Sequence, residues 1–124
     1  MTLALRLRFG HFIPRLIRAE AIVLYPYVLF AQPRQKISAS VLRHELVHVQ
    51  QVRRLGWFRF YFAYLAEYSR HLWRLRDHFQ AYLAISFEAE AYRLQDRLTL
   101  EELLASKEEA HKIAAHFSEV DRLV

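Results

Sequence analysis

The stretch "SASVLRHELVHVQQVRRLG", residues 38–56, decides how this chain folds. Ser38 or Ser40 can cap a helix start, Gly56 can stop one, and Arg53 and Arg54 suit the negative end of the helix dipole. The pattern predicts a helix over about 40–54. On it Val41, His44, His48 and Val52 lie near one another, while Leu42, Leu46 and Val49 point elsewhere. A helix apolar on several sides belongs at the centre of a fold.

Working outward, "LALRLRF" (3–9) alternates and predicts a strand with Leu3, Leu5, Leu7 and Phe9 on one face. "EAIVLYPYVLFAQ" (20–32) is β-branched and aromatic but interrupted by Pro26, which predicts two short strands or one edge strand beginning after the proline. After Gly56, "WFRFYFAYLAEYSRHLWRLR" predicts a second helix over 57–76. Asp77 can cap a third, "HFQAYLAISFEAEAYRLQDRL", with a break near Ser86, which could itself be a cap. Thr99 with Glu102 and Ser106 with Glu109 are capping-box patterns that begin C-terminal helices. The fold class is therefore mainly α with a small N-terminal β element (α+β), and residues 1–124 form a single domain.

The apolar fraction of 54% with only two glycines and three prolines indicates a globular chain. Cysteine is absent, which excludes disulfides, thiolate metal sites and a cysteine nucleophile, so any metal must be held by His and carboxylate. The net charge of +5 comes from scattered arginines and points only weakly toward nucleic acid, so no specific nucleic-acid partner is expected. Arginines interrupt what would be the apolar part of a signal peptide, and Pro26 splits the longest apolar run. A cytoplasmic protein is expected, with peripheral membrane contact open to it through the same arginines.

His44 and His48, four apart, share one helix face, with Glu45 directly after the first; two imidazoles so placed bind zinc. The longer pattern with a third histidine fails, because Gln51 and Arg54 occupy the places of its glycine and histidine. A glutamate from another helix is then required: Glu67, Glu88 or Glu90. Glu67 has Arg70 and His71 within one turn, and Glu90 has Arg93. Glu88 has Ala84, Ile85, Ala91 and Tyr92 at its helical neighbours, so a metal would be the natural answer to its charge if buried. Charge favours Glu88 and leaves Glu67 as the alternative.

"HELVH" followed later by "FEAEAY" resembles the gluzincin metallopeptidases, in particular minimal single-domain members and the CAAX prenyl endopeptidase group, whose later element reads Glu-x-x-Ala-Asp. The resemblance spans about residues 38–95. It implies a zincin-like fold in which the central HExxH helix packs against the helix carrying the third ligand. It further implies His44, His48 and Glu88 as zinc ligands, Glu45 as general base, and a peptide or protein substrate. Ala91 matches, but Tyr92 stands where those peptidases carry the aspartate that orients a ligand histidine, so another acceptor, such as a backbone carbonyl, would be needed.

Such an enzyme would hydrolyse peptide bonds with a water whose pKa falls toward about 7 beside the metal, Glu45 moving its proton. Tyr92 is the first candidate for the oxyanion donor, with His78 and Tyr82 behind it. "YVLFAQ" (27–32) is the strand expected to pair with an extended substrate. The aromatics from Trp57 to Tyr64 are expected in the core or lining an apolar pocket, and the helices after Thr99 either complete the core or cover the cleft as a latency segment. Two other functions fit the composition: a non-catalytic zinc-stabilised interaction module, and a membrane- or nucleic-acid-binding surface on the aromatic, arginine-rich second helix and the N-terminus.

Overall fold

The central helix forms as its end signals require. In the computed structural model, which describes residues 2–117, the elements in chain order are β1 (Arg6–Arg8), α1 (Phe12–Leu16), β2 (Ala21–Leu24), β3 (Tyr27–Phe30), a single 3-10 turn (Arg34–Lys36), α2 (Ala39–Leu55), α3 (Trp57–Leu75), α4 (His78–Ala84), α5 (Ser86–Leu94), α6 (Leu100–Leu103) and α7 (Lys107–Ala114). Ser38 Oγ accepts from the Val41 N–H at the start of α2. At its end Gly56 takes φ +89°, a backbone conformation that side chains with a Cβ rarely adopt, and its N–H closes on the Val52 carbonyl at 2.7 Å. One residue thus ends α2 and starts α3.

The predicted third helix is two helices, broken at Ile85, which is extended with ψ 128°. Asp77 caps α4, its Oδ1 accepting from the Gln80 N–H. Ser86 is not a cap, contrary to expectation; it is the first residue of α5, and the capping carboxylate comes from Glu67 on α3, which accepts from the Ser86 N–H (2.9 Å) and Oγ (2.8 Å). Thr99 and Glu102 complete their capping box. Ser106 accepts from the Glu109 N–H, but the Glu109 carboxylate turns instead to Arg53 on α2 and to the Ala105 N–H.

The sheet has the order β1-β3-β2, with β1 parallel and β2 antiparallel to β3. The segment after Pro26 is therefore the middle strand, bonded on both sides, which removes 27–32 as an edge for a substrate. Leu7, Val23, Val28 and Phe30 from the sheet join Leu42, Leu46 and Val49 of α2 in one core. Leu100, Leu103, Leu104 and Ile113 belong to that same core, so α6 and α7 complete it.

α3 departs from expectation. Of the run from Trp57 to Tyr64 only Phe60 is buried, and Trp57, Phe58 and Phe62 stand in the open. Periodicity shows that a helix has an apolar face; it does not show that something covers it. No helix among the described residues is long and apolar enough to cross a membrane.

Candidate metal centre

His44 and His48 leave α2 one turn apart and face α5, which can come close because Ala91 carries only a methyl group and is fully buried. Glu88, in the first turn of α5, meets them. Its Oε1 lies 2.9 Å from His44 Nε2 and 3.2 Å from His48 Nε2. Glu45, between the two histidines in sequence, also turns inward, and His44, Glu45 and His48 present ligand atoms within 4.8 Å of one another. All four side chains are buried, each less than a tenth exposed. The His-Glu-His group could hold a metal ion.

The far side of each imidazole is committed. His44 Nδ1 lies 2.7 Å from Gln95 Oε1, and His48 Nδ1 lies 2.9 Å from Gln51 Oε1. The Gln51 amide cannot be reversed without loss, because its Nε2 donates to the Phe87 carbonyl (3.1 Å) and to Glu90 Oε1 (2.8 Å). Its oxygen therefore accepts from His48, whose proton sits on Nδ1 and whose Nε2 lone pair points at Glu88. Gln95 offers His44 the same acceptor. Two lone pairs and a carboxylate oxygen then converge on one small volume, an arrangement that needs a cation or protons to be stable.

Without a metal, protons fill that need. Burial opposes charging His48, but its hydrogen bond to Glu88 and the fields of Glu45 and Glu88 prevail and raise it to about 9. Burial also opposes ionising Glu88, yet the hydrogen bonds from His44, His48 and Tyr64 hold it well below the usual carboxylate range. Glu45 goes the other way: burial raises it more than the two histidines lower it, with Glu88 and Glu20 adding to the rise. Tyr64 and Tyr82 both donate to the Glu88 carboxylate. Burial first, and then Glu88, pushes both phenols up, so they remain donors.

The other candidates are occupied elsewhere. Glu67 caps α5 through Ser86, and Glu90 answers Gln51, Arg54 (3.6 Å) and Arg93 (3.9 Å). Tyr92 packs its ring edgewise on His44 at 4.5 Å and is half exposed. His78 is exposed and bonds Tyr68 at 2.6 Å.

Three residues at the site were not singled out from sequence for the parts they take. Gln51 was noted only for breaking the three-histidine pattern, although its place one turn after His48 makes it a natural partner. Gln95 lies seven residues, two turns, beyond Glu88 and so on the same face. Tyr64 shares the inward side of α3 with Phe60. The acceptor that orients His44 is therefore a side-chain amide, not the backbone carbonyl expected in place of the missing aspartate. The chain matches no protein-family model, no curated protein and no solved structure.

Proposed function

We propose that this chain is a zinc-dependent metallopeptidase in which His44, His48 and Glu88 hold the metal and Glu45 moves the proton. The observation that carries the reading is the convergence of both imidazole Nε2 atoms on Glu88 Oε1 while both Nδ1 atoms are committed to amide oxygens. Two imidazoles and a carboxylate are a donor set that suits zinc, and the converging lone pairs fit a cation between them. Bound there, zinc would supply polarisation of a carbonyl oxygen and a water made nucleophilic near neutral pH.

The remaining chemistry belongs to the chain. Glu45, raised by burial, suits a group that takes a proton from water and returns it to a leaving amine. Tyr92, whose ring packs edgewise on His44 at 4.5 Å, is the donor available to a developing oxyanion, since the Tyr82 hydroxyl already donates to Glu88.

An extended substrate would pair along β2, which lies against α2. The Glu20 carbonyl accepts from the Ala31 N–H, so strand alternation turns the polar groups of Ala21 and Val23 outward. The Tyr61 hydroxyl already bridges the Val23 carbonyl (2.7 Å) and the Tyr25 N–H (3.0 Å), leaving the Ala21 N–H and C=O and the Val23 N–H for a peptide.

The near-complete burial of the site is what a closed, non-catalytic zinc module would also have, and Glu45 separates the two. Elemental analysis should find about one zinc per chain, lost in Glu88→Ala and retained in Glu67→Ala. Glu45→Gln should keep the zinc and abolish cleavage of unfolded casein. A chain that takes up no zinc refutes the site; a zinc-loaded chain whose hydrolysis survives Glu45→Gln refutes the mechanism.

A further inference from the structure

α3 is built inside out. Its inward side is held by polar and packed contacts: Tyr61 to the β2 edge, Tyr64 to Glu88, Glu67 to Ser86, and Phe60 against Phe87. Its outward side carries Phe58, Phe62, Leu65 and Trp73, at intervals of four, three and eight residues, which is one stripe on a helix. These are among the most exposed apolar side chains of the molecule, Phe62 at 69% and Trp73 at 74%. The fifteen residue steps from Phe58 to Trp73 make the stripe about 22 Å long. Arg59, Arg70 and Arg74 run along one flank of it, all exposed, and the Arg76 guanidinium lies 4.4 Å from the centre of the Trp73 ring. None of these four arginines forms an ion pair among the described residues.

We propose that this face of α3 docks flat on a lipid surface carrying anionic headgroups, the rings entering the boundary of the acyl region and the arginine row meeting phosphate and carboxylate groups. Charge selects this occupant over a second copy. Each copy carries +5, and antiparallel pairing of two such helices about a two-fold axis sets both arginine rows on the same side, where they repel. An anionic surface answers the same row, and a helix with an apolar stripe beside cations is the form that lies in a membrane interface. No described helix is long and apolar enough to cross, which leaves contact along the surface. The proposal does not depend on the metal site.

The test is sedimentation of the full chain with sucrose-loaded vesicles, either pure phosphatidylcholine or phosphatidylcholine with roughly a third phosphatidylglycerol. The protein should partition to the anionic vesicles, less so to the neutral ones, and binding should weaken as salt rises from about 0.1 to 0.5 M. The double variant Phe62→Ser with Trp73→Ser should lose at least about tenfold in partitioning, and because both side chains are exposed its far-UV circular dichroism and melting should be unchanged. Arg59→Glu with Arg70→Glu should weaken binding to anionic vesicles alone. Equal partitioning of the wild type and the Phe62/Trp73 variant overturns the proposal. So does a vesicle-free dimer in sedimentation equilibrium that this variant abolishes, since the face would then belong to a second copy.

Discussion

Replacing Gln51 by leucine removes three hydrogen bonds from a fully buried position, and the structure says which of them matters. The Phe87 carbonyl lies inside α5 and keeps its helical partner. Glu90 keeps Arg54 and Arg93 nearby. The His48 Nδ1–H alone is left buried without an acceptor, at a cost of about 1–3 kcal/mol. The metal-free protein should therefore lose about 2 kcal/mol in urea unfolding, since leucine recovers part of the cost by being apolar. Zinc affinity should fall about 10–100-fold, because an imidazole free to rotate or change tautomer no longer presents Nε2. Competition with a chromophoric chelator measures that affinity directly. Gln51→Glu, which keeps an oxygen toward His48, should retain more of the zinc affinity than Gln51→Leu even if it is less stable. Equal zinc affinity for wild type and Gln51→Leu would falsify the argument that the amide orients His48.

Arg53 donates to both Glu109 oxygens at 2.6 and 2.7 Å; Glu109→Gln removes the charge and one of these acceptors and should cost about 1–3 kcal/mol at neutral pH. Burial alone would raise Glu109, but the bonds from Arg53 and the Ala105 N–H outweigh it and lower its pKa from 4.5. That stability is fully present above the unfolded pKa and is lost as pH falls through the folded one. The gap between wild type and variant in urea melts should accordingly be flat at neutral pH and close below about pH 4.5; a gap independent of pH would show that the charge contributes nothing. Glu67→Ala removes the cap of α5 and should destabilise by about 1 kcal/mol while zinc uptake persists, and loss of zinc with the fold intact would move the metal ligand to α3. Truncation after Leu98 strips Leu100, Leu103, Leu104 and Ile113 from the core and should leave a chain without a cooperative thermal transition; a folded, more active truncated protein would instead restore the latency reading.

What could be read from sequence was local. Ser38 and Gly56 mark the ends of α2, the four-residue spacing puts His44 and His48 on one side, and Thr99 with Glu102 marks a helix start, because each of these depends on residues within one or two turns. What failed was non-local. β-Branched and aromatic composition around Pro26 predicted two short strands or one edge strand after it, but strand order depends on β1 returning beside β3, and no pattern within 27–32 records that it is paired twice. Beside the family resemblance, the choice among glutamates rested on neighbours on the same helix. The structure adds the reason Glu67 is spoken for, an N–H and a hydroxyl on a helix 19 residues away. The aromatic wealth of α3 was expected in the core or lining an apolar pocket, whereas the core is filled by the sheet, α2 and the C-terminal helices.

Glu45 and Glu88 are buried within the same few ångströms, and the surroundings drive them in opposite directions. Burial alone would raise both. Glu88 escapes because Tyr64 and Tyr82 join the two imidazoles in donating to it, so its charge is met on both oxygens whether a proton or a metal lies between the histidines. Glu45 receives the histidines' field without those donors, and desolvation dominates. A pair of carboxylates separated in this way can divide two tasks, one remaining charged and the other taking and giving up a proton. The division does not come from the HExxH spacing, which supplies Glu45 but says nothing of its partner. It comes from two tyrosines on α3 and α4 whose hydroxyls reach a glutamate on α5. In the proposed enzyme those hydroxyls keep Glu88 a ligand, and their absence around Glu45 leaves it free to be a base.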